Sequence, residues 1–471
     1  MDYSNFLIMN HEISLVVVMI LVLLSDLFIN NKKRFQYLAI GLFAIHTYLS
    51  FRWNIGDAES FGGMYITSDI HCFVKNFLNI GTFLVFLFAF EWNKTKNLSH
   101  CGEFYFITLS TLFGMYLMIS SGDFLLFYIG LETASIPMAT LVAFNKKEQD
   151  SPEAAAKYVL TAAFSSGVML FGISLIYGTC GSLYFFDVME NFTPSPLHIM
   201  ATIFFMAGLG FKISLVPFHL WTADTYQGAP TPVTAFLSVI SKGAAAFAMF
   251  CIIVKAFANY PEAWERFLWW IIVITITVGN LFAIRQKNLK RFLAFSSISQ
   301  AGYIMLGVYA ATPQGMAATV FYLFIYMFTN LAAFGVISSI ENKTGKLMMN
   351  DYNGLYDTNP KLAFVMMLAM FSLGGIPVFA GFFSKFFIFA SAMQLGEYVL
   401  VFIALLNTVI SLFYYLLVVK AMFINKSETP IAKFKSDPMT RLGLIVCTLG
   451  ILVFGLISPI YEYIQSISFG M

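Results

Sequence analysis

The chain consists of long apolar runs separated by short polar segments. The runs are about 20 residues long, which is the length an α-helix needs to cross the ~30 Å hydrocarbon core of a bilayer. The pattern predicts fourteen membrane spans, at residues 12–29, 35–51, 70–90, 104–120, 123–144, 153–178, 197–218, 230–255, 264–284, 291–310, 314–340, 361–395, 398–420 and 441–465. The expected fold class is therefore an all-α polytopic membrane protein, with residues 1–471 forming a single transmembrane domain.

Two of the predicted spans are interrupted by glycine or proline next to a lysine. Lys212 precedes Pro217 in the seventh span, and Lys385 follows Gly375 and Pro377 in the twelfth. An interruption frees backbone amides and carbonyls, which persist at membrane depth only when they are buried in protein or line a wet cavity. Paired interrupted segments in the two halves of a chain indicate internal repeats in transport proteins and point to the ion site.

The composition supports a membrane protein and excludes several other classes. Of the 471 residues, 59% are hydrophobic and 11% are charged, whereas soluble domains carry about 25% charged residues. A net charge of +2 gives no indication of nucleic-acid binding. The five cysteines are scattered without a CxxC pair, so no disulfide framework, iron–sulfur ligand set or structural zinc site is predicted. The sequence has no phosphate-binding loop and no dinucleotide fingerprint.

The basic residues predict the orientation of the chain. One set of alternate loops holds most of them, beginning with Lys32, Lys33 and Arg34, whereas the opposite set holds only Arg52, Lys255 and Arg266. Cytoplasmic loops carry the excess of lysine and arginine. The first set is therefore expected on the cytoplasmic side, with both termini facing outward.

Five of the 27 basic residues fall inside predicted spans. Lys75 and Lys157 lie near span ends, where the side chain can reach the interface. Lys212, Lys242 and Lys385 lie deeper or next to an interruption. A charged side chain at bilayer depth costs several kcal/mol and usually marks an ion path. These three lysines are therefore the main candidates for proton carriers.

Glu132, in the fifth span, is the one acidic residue predicted well inside the membrane. We expect it to face Lys212, so that their attraction keeps both charged until separation or an arriving proton neutralises one of them. The alternative is a static ion pair that only pins two helices together. Lys242 has small neighbours that leave room for water, which suits a proton carrier. The alternative interpretation is that its ammonium only hydrogen-bonds to helix carbonyls. The alternative for Lys385 is an interfacial anchor.

Further polar residues could relay protons between these groups. His219 follows Pro217 in a short polar link, where a histidine can exchange protons near neutral pH. Tyr303 and Tyr326 could hold water between Lys242 and Lys385. Packing and interhelical hydrogen bonding are equally good explanations for each of them.

Six stretches resemble the antiporter-like membrane subunits of respiratory complex I, the NADH:quinone oxidoreductase. They cover predicted spans four to thirteen, and they are FLLFYIGLETASIPM (124–138), EAAAKYVLTAAFSSG (153–167), GFKISLVPFHLWTADTYQGAPTPVTAFLS (210–238), NLKRFLAFSSISQAGYIMLG (288–307), FSLGGIPVFAGFFSKF (371–386) and LNTVISLFYYLLVVKAMF (406–423). The resemblance implies two inverted five-helix repeats, at 104–255 and 264–420, with helices seven and twelve broken, followed by a C-terminal helix at 441–465.

The resemblance also implies roles for individual residues. Glu132 is similar to the glutamate of the family's helix five, Lys212 to the lysine of helix seven, and Lys242 to the central lysine of helix eight. Lys385 occupies the position on the second broken helix where the M-type relative carries glutamate. At the link, relatives commonly read WTPDVY where this chain reads WTADTY (221–226).

The function implied is proton translocation through Glu132, Lys212, Lys242 and Lys385, coupled to electron transfer from NADH to quinone in other subunits. No cofactor is expected in this chain. NADH, FMN, iron–sulfur clusters and quinone are expected in partner subunits, and K-, M- and L-type membrane subunits are the expected neighbours in a bacterial cell membrane. The rival interpretations are a subunit of a multisubunit sodium/proton antiporter, a structural membrane spacer and, more distantly, a membrane-bound hydrogenase subunit.

Overall fold

A computed structural model of the chain describes residues 4–53, 56–96, 98–146, 148–193, 195–456 and 459–468. Almost all of the regular structure is helical. The helices of the first half are α1 (Ser4–Ile8), α2 (Asn10–Phe28), α3 (Lys32–Ser50), α4 (Asp69–Lys96), α5 (Cys101–Ile119), α6 (Phe124–Val142), α7 (Asp150–Cys180), α8 (Phe185–Asn191), α9 (Pro196–Ile213), α10 (Leu220–Gly228), α11 (Thr231–Phe236) and α12 (Lys242–Ala256).

The helices of the second half are α13 (Glu265–Ile284), α14 (Leu289–Ala310), α15 (Pro313–Thr344), α16 (Leu355–Thr358), α17 (Pro360–Gly374), α18 (Ala380–Gln394), α19 (Tyr398–Phe423), α20 (Pro438–Leu456) and α21 (Pro459–Ser468). Twelve helical segments of the described chain are long and apolar enough to cross a membrane. Together with α3 and the broken pair α17–α18, they account for the predicted spans. In the last span, Ile457 and Ser458 lie outside the described residues.

The prediction of an all-α polytopic membrane protein is confirmed. One small addition is an antiparallel hairpin between α3 and α4, formed by strands Ala58–Ser60 and Tyr65–Thr67. The link after α9 also differs from the expected short polar loop, because residues 220–228 form the helix α10. Its aromatic side chains Trp221 and Tyr226 are buried, so apolar packing holds the link in a regular conformation.

The centre of the bundle is formed by α14, α15 and the run from α11 to α12. Nearly every residue of these segments is buried, on all faces of the helix. A helix that is buried all round has no lipid-facing side. Their polar residues therefore lie in the protein interior. The buried lysines Lys212, Lys242 and Lys385 are called the lysine row below.

Helix starts next to this centre are fixed by short polar side chains. Asp123 accepts a hydrogen bond from the amide of Leu126 at the start of α6, and Asn288 accepts from the amides of Lys290 and Arg291 at the start of α14. Such caps satisfy amides that have no partner within the helix. These two caps fix the first turn of α6, which carries Glu132, and of α14, which carries Ser297.

Close helix pairs in both halves depend on glycine. In α5 and α6, a Cβ at Gly114 would lie 2.4 Å from the amide nitrogen of Ala134, and one at Gly130 would lie 2.5 Å from that of Met118. In α13 and α14, a Cβ at Gly279 would lie 2.7 Å from the amide nitrogen of Ser299. Small residues allow helix backbones to approach closely within a membrane.

We expect Gly114→Val to destabilise the protein, because the added carbons meet the backbone of α6. Overpacking of this kind costs on the order of 1–3 kcal/mol. The measurement is the melting temperature of detergent-solubilised protein. Gly41→Val is the matched control, because a Cβ at Gly41 meets nothing within 4 Å. Equal melting temperatures for the two variants would show that the α5–α6 contact is not tight.

Candidate functional site

Lys212 lies in the last turn of α9 and is buried. Its ammonium donates to the Ser135 hydroxyl at 2.7 Å and to the Tyr158 hydroxyl at 3.3 Å. Ser135 lies on α6 and Tyr158 on α7, so three helices meet at this charge. A neutral hydroxyl shell satisfies the ammonium without fixing it to a counter-ion.

Glu132 was expected to face Lys212, and the two side chains do not form an ion pair within the described residues. No ion pair of Glu132 occurs within the described residues, and its buried Oε1 has no hydrogen-bond partner among them. The carboxyl is half-buried and lines an open groove of ≈ 380 Å³ with Tyr128, Ile136 and Pro137. It nevertheless lies one helical turn from Ser135 on the same face of α6, within electrostatic reach of Lys212.

Lys242 lies at the start of α12 and is buried at the centre of the bundle. A π-helical segment, Leu237–Ser241, comes directly before it. The ammonium donates to the Ser297 carbonyl at 3.0 Å and to the Ser297 hydroxyl at 3.1 Å. Single π-helical turns are common at functional sites because they shift side chains within a helix. Ser297 of α14 thus supplies both oxygens that hold the central lysine.

Lys385 lies on α18, just after the interruption between α17 and α18. Its ammonium donates to the Leu373 carbonyl at 2.8 Å and lies 5.0 Å from the centre of the Tyr303 ring. The break frees that carbonyl from the helix, and Gly375 in the break adopts a φ of 78°. Added carbon at Gly375 would lie 3.0 Å from the lysine side chain. The burial of Lys385 argues against a role as a purely interfacial anchor.

A hydrogen-bonded network lies beside Lys385. Gln300 donates to the Leu373 carbonyl at 3.4 Å and to the Tyr415 hydroxyl at 3.0 Å, and it accepts from Tyr322. A small cavity of ≈ 10 Å³ lies against Gln300, Tyr322 and Lys385. That volume corresponds to about one water molecule.

Of the three predicted relay residues, two lie next to the lysine row. The Tyr303 ring faces Lys385, and Tyr326 lines the small cavity. Asn330 donates to the Tyr326 hydroxyl and to the Ser238 hydroxyl, both at 3.0 Å. Ser238 lies one turn before Lys242, so these groups lead from the cavity towards the central lysine.

The third, His219, lies in the link between α9 and α10. Its Nδ1 is buried without a hydrogen-bond partner among the described residues, and burial lowers the pKa of the imidazole. The neighbouring side chains Pro217 and Leu220 are exposed. The structure records no hydrogen bond between His219 and any of the described lysines, so this residue is at the edge of the site.

Asp224 on α10 bridges the two halves of the bundle. Its carboxylate lies 2.8 Å from the Lys157 ammonium of α7 and 2.6 Å from the Arg291 guanidinium of α14. Partial burial raises its pKa, but the bonds from Lys157 and Arg291 outweigh this and lower the pKa below its usual value. The helix after the first break is therefore tied by charge to α7 and α14.

Two features of the site and its surroundings were missed in the sequence. One is the pair of hydroxyl groups that bind Lys212, those of Ser135 and Tyr158. The position of Ser135 one helical turn after Glu132 was a signal that could have identified it. The expectation that Lys75 reaches the interface is wrong. Its ammonium is buried and lies 2.5 Å from the carboxylate of Glu12, an acid at the start of the first span whose burial the sequence pattern did not indicate.

The site can change proton occupancy in steps. Each of Lys212, Lys242 and Lys385 is held by hydroxyls or backbone carbonyls, and no carboxylate forms an ion pair with any of them within the described residues. Hydroxyls and carbonyls can hold either an ammonium or, with little change in geometry, a neutral amine. This arrangement suits transient charging better than permanent pairing.

Residues 121–411 match the family described as NADH:quinone oxidoreductase/Mrp antiporter, TM. The chain is similar to NADH-quinone oxidoreductase subunit N of Azobacteroides pseudotrichonymphae genomovar. CFP2, with 55% identity over 100% of this chain and 99% of the relative. It is 56% identical to subunit N of Phocaeicola vulgatus over 99% of both chains. A chain of respiratory complex I from Thermus thermophilus with bound Aureothin superposes with a TM-score of 0.80 and 31% identity, covering 95% of this chain and 97% of that one.

We expect Asp224→Asn to loosen α10, because the variant removes both ion pairs that hold the helix. The loss of stability should be small, since the ion-paired groups are partly exposed and screened by solvent. Hydrogen–deuterium exchange of the amides in 220–228 is the measurement, and faster exchange is expected. Glu148→Gln, which removes the exposed pair with Lys96, should leave that exchange unchanged. Unchanged exchange in Asp224→Asn would contradict a locking role.

Proposed function

This chain belongs to the NADH-quinone oxidoreductase subunit N family, and we propose that it moves protons through Glu132, Lys212, Lys242 and Lys385. It is an antiporter-like membrane subunit of that enzyme. Electron transfer from NADH to quinone takes place in other subunits, which hold the FMN and iron–sulfur clusters. The observation that carries the proposal is the row of three buried lysines, each held by neutral oxygens.

The first step of the proposed path is a movement of the Lys212 ammonium. Ser135, its present partner, and Glu132 lie one turn apart on α6, and such positions are about 5–6 Å apart between Cβ atoms. A small rotation of the lysine side chain therefore moves the charge from a hydroxyl to a carboxylate. Contact with Glu132 stabilises the ammonium, and retreat to Ser135 favours the neutral amine.

The later steps use the interior network. A change of charge at Lys212 alters the potential at Lys242, whose proton can pass along the polar groups of α14 and α15. Ser238, Asn330 and Tyr326 lead from Lys242 towards the cavity beside Lys385. Lys385 then exchanges its proton with water on one side of the membrane.

The energy that this path requires is modest. Moving one charge against ~100 mV costs about 2.3 kcal/mol. A change of under about two units in the proton affinity of one group supplies that energy, since one unit corresponds to ~1.4 kcal/mol. Forming and breaking one close contact between a carboxylate and an ammonium in a buried site is enough for such a change.

The position of Glu132 supports assembly with a neighbouring subunit. A carboxylate in an open groove at membrane depth is costly against lipid. Ile129 and Ile136 on the same face of α6 are exposed, so a partner chain covering this face would bury them together with the carboxylate. We propose that an adjacent membrane subunit of the enzyme, of the K-, M- or L-type, lies against this groove.

The same proposal covers the location, the orientation and the internal repeats of the chain. The protein is a multi-pass membrane protein, and we place it in a bacterial cell membrane with both termini outward, as the basic loops indicate. We divide the bundle into a first repeat, 104–255, and an inverted second repeat, 264–420, followed by the C-terminal helix at 441–465. The close glycine contacts of α5–α6 and α13–α14, which are the first two helices of each repeat, support this division.

A sodium/proton antiporter subunit is the main rival, because the matched family includes Mrp antiporters. The whole-length identity of 55% and 56% to subunit N favours the NADH-quinone oxidoreductase. The rival has the same lysines but a different driving reaction, so it predicts sodium-dependent proton exchange without NADH.

We expect Lys242→Ala to abolish most proton transport in the assembled enzyme. Loss of one positioned proton carrier lowers transfer on the order of 10²-fold or more. NADH-driven acidification of proteoliposomes measures the effect. Lys255→Ala is the control, because Lys255 lies at the other end of the same helix and is partly exposed. Normal pumping by Lys242→Ala in a fully assembled complex would refute the proposed path.

We expect this chain to migrate with NADH dehydrogenase activity on a native gel of gently solubilised membranes. Comigration in a large assembly supports its place in NADH-quinone oxidoreductase. Migration in a smaller complex without that activity would contradict it and favour the antiporter, and sodium-dependent exchange would then be the next assay.

A further inference from the structure

A second charged site lies outside the lysine row, in the helices that precede the matched family region. The Lys75 ammonium of α4 lies 2.5 Å from Glu12 Oε1 of α2. The Tyr65 hydroxyl of the hairpin donates to Glu12 Oε2 at 2.9 Å and accepts from Lys75 at 3.0 Å. All three residues are 0–1% exposed. They form a closed triangle that we call the outer triad.

Each element that packs around the outer triad contributes a group that can carry a proton. On α3, His46 shares a hydrogen bond with Ser14 at 2.9 Å and another with the Tyr116 hydroxyl at 3.4 Å. Tyr116 on α5 donates to Asn79 on α4. The other titratable groups nearby are His11, next to Glu12 on α2, and His71 and Cys72, one turn before Lys75 on α4.

His11 lies between the outer triad and the end of the bundle. It is the second residue of α2, and its ring lies 6.0 Å from that of Trp53, beyond the end of α3. Its Nε2 is buried and has no hydrogen-bond partner within the described residues. An unpartnered ring nitrogen next to a carboxylate is a place where a proton or a water molecule can bind.

The outer triad is poorly explained as a stabilising ion pair alone. The free-energy cost of removing two charges from water is often larger than the gain from their attraction. A buried ion pair is therefore weak evidence for stability. The extra histidines and hydroxyls around it are not needed to pin α2 to α4. They are the groups expected where protons are exchanged.

We propose that the outer triad and His46 form a proton-binding site at the hairpin end of the first helices, separate from the lysine row. An arriving proton forms an O–H bond on Glu12, and the net charge of the site rises by one. The Lys75 ammonium keeps the Tyr65 hydroxyl oxygen and the Tyr116 ring, which lies 5.6 Å away. The neighbouring ammonium stabilises the carboxylate form of Glu12, so the O–H bond breaks again and the proton passes through His11 to water.

This inference rests on the proposed function in one respect, namely that the occupancy of the outer triad changes during turnover. In the proposed orientation the hairpin is on the outer side, so the site binds and releases protons on the side to which protons are pumped. The ligand is the proton itself. A direct path from Lys242 to the outer triad is not required. Apolar side chains of α4, Phe77 and Leu78, lie next to Gly243, the residue after Lys242.

The test uses the assembled enzyme carrying Glu12→Gln together with Lys75→Gln. Removing both partners avoids the unpaired buried charge that a single substitution leaves. The readouts are the amount of assembled complex, the protons moved per electron in proteoliposomes, and the carboxyl region of the redox-induced infrared difference spectrum. We expect the double variant to assemble, to move fewer protons per electron, and to lose one carboxyl band.

The matched control is Asp26→Asn with Lys32→Gln, which removes a pair of 2.8 Å at the opposite end of α2. It should leave both the proton ratio and the infrared bands unchanged. If the Glu12/Lys75 variant behaves like this control, the outer triad is a static pair and the inference is wrong. If the variant does not assemble, Glu12→Asp, which retains a carboxylate, is measured instead, and an unshifted carboxyl band would overturn the inference.

The outcome can be separated from that of the main proposal by measuring Lys242→Ala in the same preparation. Loss of pumping in Lys242→Ala with normal behaviour of the Glu12/Lys75 variant removes only the outer triad. Normal pumping in Lys242→Ala removes the proposed function, whatever the result for Glu12 and Lys75.

Discussion

A buried ammonium group needs oxygen atoms that accept its hydrogen bonds, because little water is available in the interior. The arrangement of this bundle follows from that requirement. Lys212 donates to the Ser135 hydroxyl, Lys242 donates to both oxygens of Ser297, and Lys385 donates to the carbonyl of Leu373. Backbone and side-chain groups must provide these oxygens because lipid cannot. Helices that bring hydroxyls and free carbonyls to the centre are therefore as important to the site as the lysines.

The two broken helices solve this problem in different ways. In the second half, the break exposes the Leu373 carbonyl, which accepts from Lys385 and Gln300. In the first half, the freed groups are used for anchoring instead. Trp221 donates to the Phe211 carbonyl at 3.1 Å, and the Val216 amide donates to the Thr275 hydroxyl at 3.0 Å. Lys212 then depends on side-chain hydroxyls from α6 and α7.

Much of the fold follows directly from the one-dimensional pattern. Apolar runs of membrane-spanning length mark the helices, and glycine and proline mark both interruptions, since these properties are local to the chain. Lys242 and Lys385 were placed at depth for the same reason. The helical form of the link at Asp224 was not evident, because it depends on the burial of Trp221 and on cations from α7 and α14.

Pairing between charges was the least predictable feature. Glu132 and Lys212 were expected to face each other, and in the structure Lys212 binds hydroxyls while the carboxyl lines a groove. Lys75 was expected at the interface, yet it is buried against Glu12, 63 positions away in sequence. Hydropathy and backbone breaks are local properties, so the membrane class, the helices, their interruptions and the burial of Lys212, Lys242 and Lys385 could be predicted from the chain alone. Which oxygen faces each charge depends on the fold, because a contact distance of about 3 Å is set by the rotation and packing of helices from distant parts of the chain.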